Sequence, residues 1–256
     1  MVSTMTRSGG RPATPPARRS GRRRSWAARL VRLVVSVAVL GALLLVAGWE
    51  VTPSVDDAAA RVAGQLSAHS APALQGPVPP RVADALIATE NSRFYSSRGL
   101  DPISVLRAPI GVLSGKDPGG ATLEQQLAKN LYEQGSMSLL SRAAEGVLAL
   151  KLDRTWTKAQ ILRMYLDDGY YGNGFYGLTS ASRGYFGMAP AKLSWAQASL
   201  LAGLFQAPSA YNPLVHPAAA RARQAHVLDR LIAVGTLTRA QADSVGRESW
   251  GLRTAG

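Results

Sequence analysis

Cysteine is absent from the 256 residues, which excludes disulfides, thiolate metal sites and a cysteine nucleophile. Histidine is scarce: only His69, His216 and His226 occur, and none shows a spacing such as H-E-x-x-H. A histidine-built zinc site is therefore not expected, and no metal-ligating set is assigned. No acidic residue precedes Glu50. Alternating strand patterns and internal repeats are also lacking.

What is present starts with charge. The net charge is +13, but nine arginines lie before residue 33. Setting those nine aside leaves about +4 for the remainder. A basic tail beside an apolar run points to membrane topology, whereas a chain-wide basic balance would point to nucleic acid. Residues 1–25 are rich in Arg, Pro, Ser and Gly and are expected to be a disordered cytoplasmic tail. Leu33 to Trp49 is a run of 17 residues without a charge. With the flank back to Trp26 it reads as one transmembrane anchor over 26–50, its ends marked by Trp26 and Trp49. The arginines on one side and Glu50, Asp56 and Asp57 on the other place the amino terminus in the cytoplasm and the rest outside. A cleaved signal peptide is the alternative, but its apolar run is shorter. Residues 51–77 read as a linker ending in a Pro-rich stretch, and 78–248 as the main domain.

That domain reads as mainly α. Thr122/Gln125, Thr157/Gln160, Ser194/Gln197 and Thr238/Gln241 each match a capping box, and apolar residues at helical spacing follow. Residues 139–153 and 217–234 also read as helices. Residues 167–190, rich in glycine and aromatics, read as ordered loop and turn.

Four places could carry chemistry. Glu90 ends an apolar helix, where partial desolvation would raise its pKa and suit it to proton transfer; a solvated helix-end carboxylate is the plainer reading. A glycine pair, Gly119-Gly120, opens a helix bearing Thr122, Gln125, Gln126 and Lys129, an arrangement suited to an anion, or simply a capped surface helix. Arg142 and Glu145 share a helix face, as a site pair or a surface ion pair. Tyr170 to Gly177 places Asn173 and Tyr176 among glycines, which suits either sugar contact or loop packing.

In order along the chain these stretches resemble the family-51 glycosyltransferases, the peptidoglycan polymerase domain found alone or fused to penicillin-binding transpeptidases. The first motif, E-D-x-x-F-x-x-H-x-G, is similar to Glu90-Asn91-Ser92-Arg93-Phe94-Tyr95-Ser96-Ser97-Arg98-Gly99. The second, G-G-S-T-x-x-Q-Q-L-A-K-N, resembles Gly119 to Asn130, with Ala121 for Ser. The third, R-K-x-x-E, resembles Ser141 to Glu145, and the fourth, S-K-x-x-I-L-x-x-Y-L-N, resembles Thr157 to Asp167. Tyr170 to Gly177 and Gln206 to Pro213 follow the family's later wording. The departures are Asn91 for Asp, Ser97 for His, Ala121 for Ser, Ser141 for Arg, Arg142 for Lys and Asp167 for Asn. Neither the S-x-x-K nor the K-T-G motif of the transpeptidase partner occurs, so a monofunctional enzyme is expected.

The resemblance implies a lysozyme-like fold with a smaller membrane-associated lobe, preceded by a single transmembrane helix. It also implies inverting transfer from an undecaprenyl-diphosphate donor to lipid II, with the growing glycan strand as product. Glu90 would be the base, with Glu145 the second catalytic carboxylate. Lys129 and Arg142 would hold diphosphate, while Thr122, Gln125, Gln126, Asn173 and Tyr176 would contact substrate. A divalent cation, Mg or Mn, is compatible with the diphosphate chemistry. The expected partners are lipid II, the glycan strand and the cytoplasmic membrane, with room for a transpeptidase or for division or elongation proteins, and no nucleic acid. Two other readings stand beside this one. The first is a degenerate scaffold that binds lipid II without turnover, suggested by the substitutions at 91, 97, 121 and 141. The second is a lysozyme-type enzyme that cleaves glycan with Glu90 as acid.

Overall fold

The computed structural model describes residues 21–100, 121–132 and 139–253, and these are mostly helical. The chain divides into two compact units, one ending at Ala47 and the other beginning at Gly48. The first is the body of helix α1 (Gly21–Val51). Its stretch Ala28–Val51, 24 residues of mean hydropathy 2.7, is long and apolar enough to cross a membrane. Leu43, Leu44 and their neighbours are exposed, as a membrane-facing surface requires.

The second unit is built from α2 (Ala58–Ala68), α3 (Pro80–Glu90), α4 (Leu123–Tyr132), α5 (Leu139–Thr155), α6 (Lys158–Asp168), α7 (Gly177–Phe186), α8 (Trp195–Leu204), α9 (Pro217–Ala233) and α10 (Arg239–Arg247). Between the helices lie turns and a short 3-10 helix, Pro190–Lys192, and the β-structure among the described residues is limited to two isolated bridges, Arg98 with Leu100 and Tyr170 with Tyr176. The capping boxes form as the sequence predicts. Thr157, Ser194 and Thr238 each accept from the backbone N–H three residues on, and the Gln there accepts from the cap's own N–H. Thr122 and Gln125 do the same at the start of α4, at 3.2 and 2.9 Å.

Two layers of helix meet in one core. α3 packs on α8 and α9, which also pack on each other, while α4 packs on α5 and α6. Leu86, Phe94, Leu127, Leu152, Leu166 and Tyr185 are fully buried between them. α8 is buried nearly all round, in keeping with a sequence that is apolar apart from Gln197 and Ser199.

Two stretches differ from expectation. The stretch expected to be a linker, 51–77, contains α2, whose Ala58, Val62 and Leu66 lie in the core. Its apolar residues at i, i+4 and i+8 supply the buried stripe. The stretch expected to be loop, 167–190, contains α7, which ends at Gly187 in the left-handed conformation (φ 71°). Its Gly184 masks the helical pattern, yet a Cβ there would come within 2.2 Å of the Phe175 ring, so the glycine is a packing requirement.

The segment just after α1 is strapped to the helices of the second unit. Lys151, buried on α5, donates from Nζ to the carbonyls of Thr52 and Pro53 at 2.7 and 3.1 Å. Trp156 Nε1 donates to Val55 O at 2.9 Å. Trp49 lies between Lys151 and Arg154, 5.2 and 4.8 Å from its ring centroid. Farther on, Tyr132 donates to Asp57 at 2.7 Å, and Arg61 donates to Leu131 O at the end of α4.

Candidate active site

Glu90 is the last residue of α3. Residues Val82 to Ala88 of that helix are mostly buried, so its end is carried into the interior. α9 crosses beside it and Arg230 Nε donates to Ala88 O at 3.1 Å, tying α9 to the carbonyl end of α3. Arg223, one face up the same helix, places Nη2 3.5 Å from Glu90 Oε1; the two side chains are 12% and 17% exposed. Gly203 makes room for this arginine: a Cβ there would lie 3.1 Å from Arg223 Cγ, and Gly203 O accepts from Arg223 Nε. Burial pushes the Glu90 carboxyl above the usual carboxylate range, while Arg223, a hydrogen bond from Gln126 and the proximity of His226 pull it back down. Gln126 is in turn fixed by Tyr165, whose hydroxyl donates to its Oε1 at 2.7 Å.

From Gln126 and Tyr165 a cleft of about 470 Å³ runs past Asn130, Asp168, Gln65 and His69 to Tyr170 and Tyr176. Gln126 and Asn130 are four residues apart on α4 and so line it together. Asn130 donates to Asp168 at 2.6 Å. Burial raises the Asp168 pKa, while hydrogen bonds from Asn130 and Gln65 lower it. At the far end the His69 ring stacks on Tyr176 at 3.4 Å, nearly parallel. The hairpin that delivers Tyr176 turns through three consecutive residues of positive φ, Gly172, Asn173 and Gly174. Gly172 must be glycine, since a Cβ would lie 2.8 Å from Pro208 O.

The structure brings Gln126 and Tyr176, which were expected at the site, to one cleft, and it sets Glu90 against Gln126 outside the residues that line it. Thr122 is buried, and its hydroxyl donates to Gly99 O at 2.7 Å while capping α4. The Gln125 side chain closes the same cap. Lys129 and Arg142 are exposed, and Glu145 is half-buried on α5. Asn173 stands exposed at the hairpin tip, outside the residues lining the cleft. The glycine pair at 119–120 lies outside the described residues. Sequence reasoning missed Arg223, His226, Asp168 and His69. Only Asn130 carried a local signal, its four-residue spacing from Gln126. Among the described residues no group of three or more His, Asp and Glu side chains could hold a metal ion.

Asp167, where the family wording has Asn, accepts from Leu74 N–H with both oxygens, at 3.1 and 3.2 Å. Burial raises its pKa to about 6, against the opposing pull of the Leu74 hydrogen bond and Arg163. An unfolded aspartate titrates near 3.9. Between these values the folded state holds a proton that the unfolded state has released, so this group's contribution falls as pH rises from about 4 to about 6 and is then flat. Asp167→Asn removes the titration and keeps one acceptor for Leu74. It is expected to melt no lower than the parent protein at pH 7.5 and to show a smaller change in melting temperature between pH 5 and 7.5. A variant clearly less stable at pH 7.5 would show that the charge itself is needed there.

Comparison with known proteins places this cleft in a lineage. The family model described as Transglycosylase matches residues 60–232. A candidate transglycosylase of Cupriavidus necator is 34% identical over 235 residues, spanning 90% of this chain and 100% of that protein. Penicillin-binding protein 1A of Neisseria flavescens is 40% identical over 167 residues, 64% of this chain but 21% of its own length. Penicillin-binding protein 1A of Escherichia coli is 37% identical over 174 residues, again covering 20% of that protein. The crystal structure of penicillin-binding protein 1A from Haemophilus influenzae aligns with 69% of this chain and 17% of its own, at 22% identity and a TM-score of 0.42. The chain therefore spans the whole of one relative and about a fifth of the penicillin-binding proteins. With the family model covering well over half of its length, the chain belongs to the transglycosylase family, the family-51 glycosyltransferases.

Proposed function

We propose that this chain polymerises lipid II into peptidoglycan strands by inverting transfer from an undecaprenyl-diphosphate donor. The observation that carries the reading is Glu90. It is a largely buried carboxylate with a raised pKa, held by Arg223 and by Gln126, which itself lines the cleft. In one displacement Glu90 takes the proton of the acceptor's 4-hydroxyl, that oxygen bonds to the donor's anomeric carbon, and the diphosphate leaves with the bonding pair. Such proton transfer contributes about 10²–10⁴-fold. Lys129 and Arg142, exposed and cationic, receive the diphosphate. Glu145 orients those cations or assists the leaving group. A divalent cation, Mg or Mn, would be held by the substrate's diphosphate and would supply positive charge there. Gln126 and Tyr176 contact the sugars, with Thr122 and Gln125 shaping the second motif through the α4 cap. Asn173 sits at the rim. The apolar helix Ala28–Val51 anchors the unit beside its polyprenyl-linked substrate, with the amino terminus cytoplasmic.

The scaffold reading keeps one supporting observation: Asn91, in place of the motif's Asp, leaves its buried Nδ2 without a partner. The deciding experiment incubates the full chain in detergent, with a divalent cation, on fluorescent lipid II and resolves the products on a gel. A ladder of glycan chains is expected. Binding of lipid II without a ladder would assign the chain to the scaffold class.

A further inference from the structure

We infer that Glu124 carries the buried negative charge that the family pattern places at position 91, and that through Lys158 it holds the first and second motifs in register. The inference rests on the function proposed above, and it concerns a residue that pattern leaves open.

Glu124 lies in the first turn of α4, one residue before the Gln125-Gln126 pair. Its side chain is 0% exposed. A carboxylate so enclosed needs a cation, and Lys158, the first residue of α6, supplies one, with Nζ 2.5 Å from Glu124 Oε1. The same ammonium lies 2.6 Å from Asp153 Oδ1 on α5. It also stands 4.8 Å from the ring centroid of Phe94, the buried aromatic of the first motif. One lysine thus joins α4, α5 and α6 to the turn that follows Glu90. That turn begins at Asn91, whose carbonyl accepts from Phe94 N–H at 2.9 Å.

Two buried polar atoms of the first and second motifs are left unpaired. Asn91 Nδ2 is a buried donor without a partner, and Glu124 Oε2 is a buried acceptor without one. With an aspartate at 91 the turn would carry its own carboxylate, three residues before the Phe94 ring on which the ammonium stands. Here the turn brings a neutral amide, and the charge comes from the neighbouring helix. Lys158 accordingly pairs with two carboxylates, neither of them from the first motif. In this chain the loss of Asp at 91 is a relocation of charge rather than a sign of decay. Glu124 is a positioning residue: it acts through Lys158 and Phe94 on the turn that follows Glu90.

The test is a charge swap in the full chain. Polymerisation of lipid II and thermal unfolding are measured for the parent protein, Glu124→Gln, Asn91→Asp and the double variant. Glu124→Gln is expected to lower kcat by about 10- to 100-fold, the scale of a small misplacement at a reacting centre, and to lower the melting temperature. Adding Asn91→Asp should recover most of both losses, whereas Asn91→Asp alone, which buries a further carboxylate, should be destabilising. A double variant as slow and as unstable as Glu124→Gln overturns the inference, as does one that regains stability but not rate. Should Glu124→Gln alone fail to fold, a folded double variant supports relocation and an unfolded one overturns it. The melting temperatures report the relocation even if the parent protein forms no polymer, so that outcome would remove the proposed activity and leave the charge swap to be judged by stability.

Discussion

Glu90→Gln is expected to reduce the rate of glycan polymerisation by about 10²–10⁴-fold while leaving the melting temperature close to that of the parent protein. The substitution keeps the shape of the side chain and its contact with Gln126, and it removes the capacity to accept a proton together with the charge that faces Arg223. The pH profile of the parent protein supplies a second reading of the same group. A base works in its ionised form, and burial raises the pKa of this one. The acid limb of kcat/KM should therefore fall at a higher pH than an exposed glutamate would give, and raising the pH through that value should restore the rate. Near-normal rate in Glu90→Gln would remove Glu90 as base, and the lysozyme-type reading would fall with it, since that too uses this carboxyl.

The largest expected effect on stability is at Gly99, the closing glycine of the first motif. Its φ is +75°, and a Cβ there would lie 2.6 Å from the backbone oxygen of Ala149 and 3.1 Å from Asp153 Cβ. An alanine has to bear the left-handed conformation, about 1–2 kcal/mol, and push the turn off α5, about 1–3 kcal/mol. The loss of some 2–5 kcal/mol corresponds to roughly 5–15 °C in melting temperature for a unit of this size. Gly99 O is also the acceptor for the Thr122 hydroxyl, so the displacement loosens the cap of α4. Gly235, at φ +79° with open space around its absent Cβ, serves as the control. Its alanine variant suffers only the conformational cost. If Gly99→Ala melts no lower than Gly235→Ala, the close approach to α5 is not what the glycine is for.

Much of the helical architecture could be read from short-range chemistry. A hydroxyl residue followed three positions later by Gln marks four helix starts, because both halves of that pattern lie within one turn. The motifs located Glu90 and Gln126 for the same reason. The surroundings of Glu90 could not be read that way. Arg223 and His226 reach it only because α9 packs across the end of α3, and nothing in the sequence around 223 distinguishes that arginine from Arg221 or Arg230. The raised pKa of Glu90 is likewise a product of tertiary packing. Thr122 and Gln125 illustrate the opposite difficulty. Their spacing fits both a helix cap and a ligand contact, and the cap takes up the Thr122 hydroxyl and the Gln125 Oε1. In α7 the glycine required by the Phe175 ring hides the helical periodicity from a reading based on composition.

The strap beyond the anchor helix has a consequence for the timing of folding as the chain is synthesised. Its acceptors, the carbonyls of Thr52, Pro53 and Val55, are joined to donors 98 to 101 residues later. At about 5–20 residues per second the interval is on the order of 5–20 s. Throughout it the carbonyls of Thr52 and Pro53 lack these donors, Val55 O has only its local bond from Ala58 N–H, and the first turn after α1 has no tertiary contact with α5. Closure of the strap therefore waits until α4 and most of α5 exist to receive it.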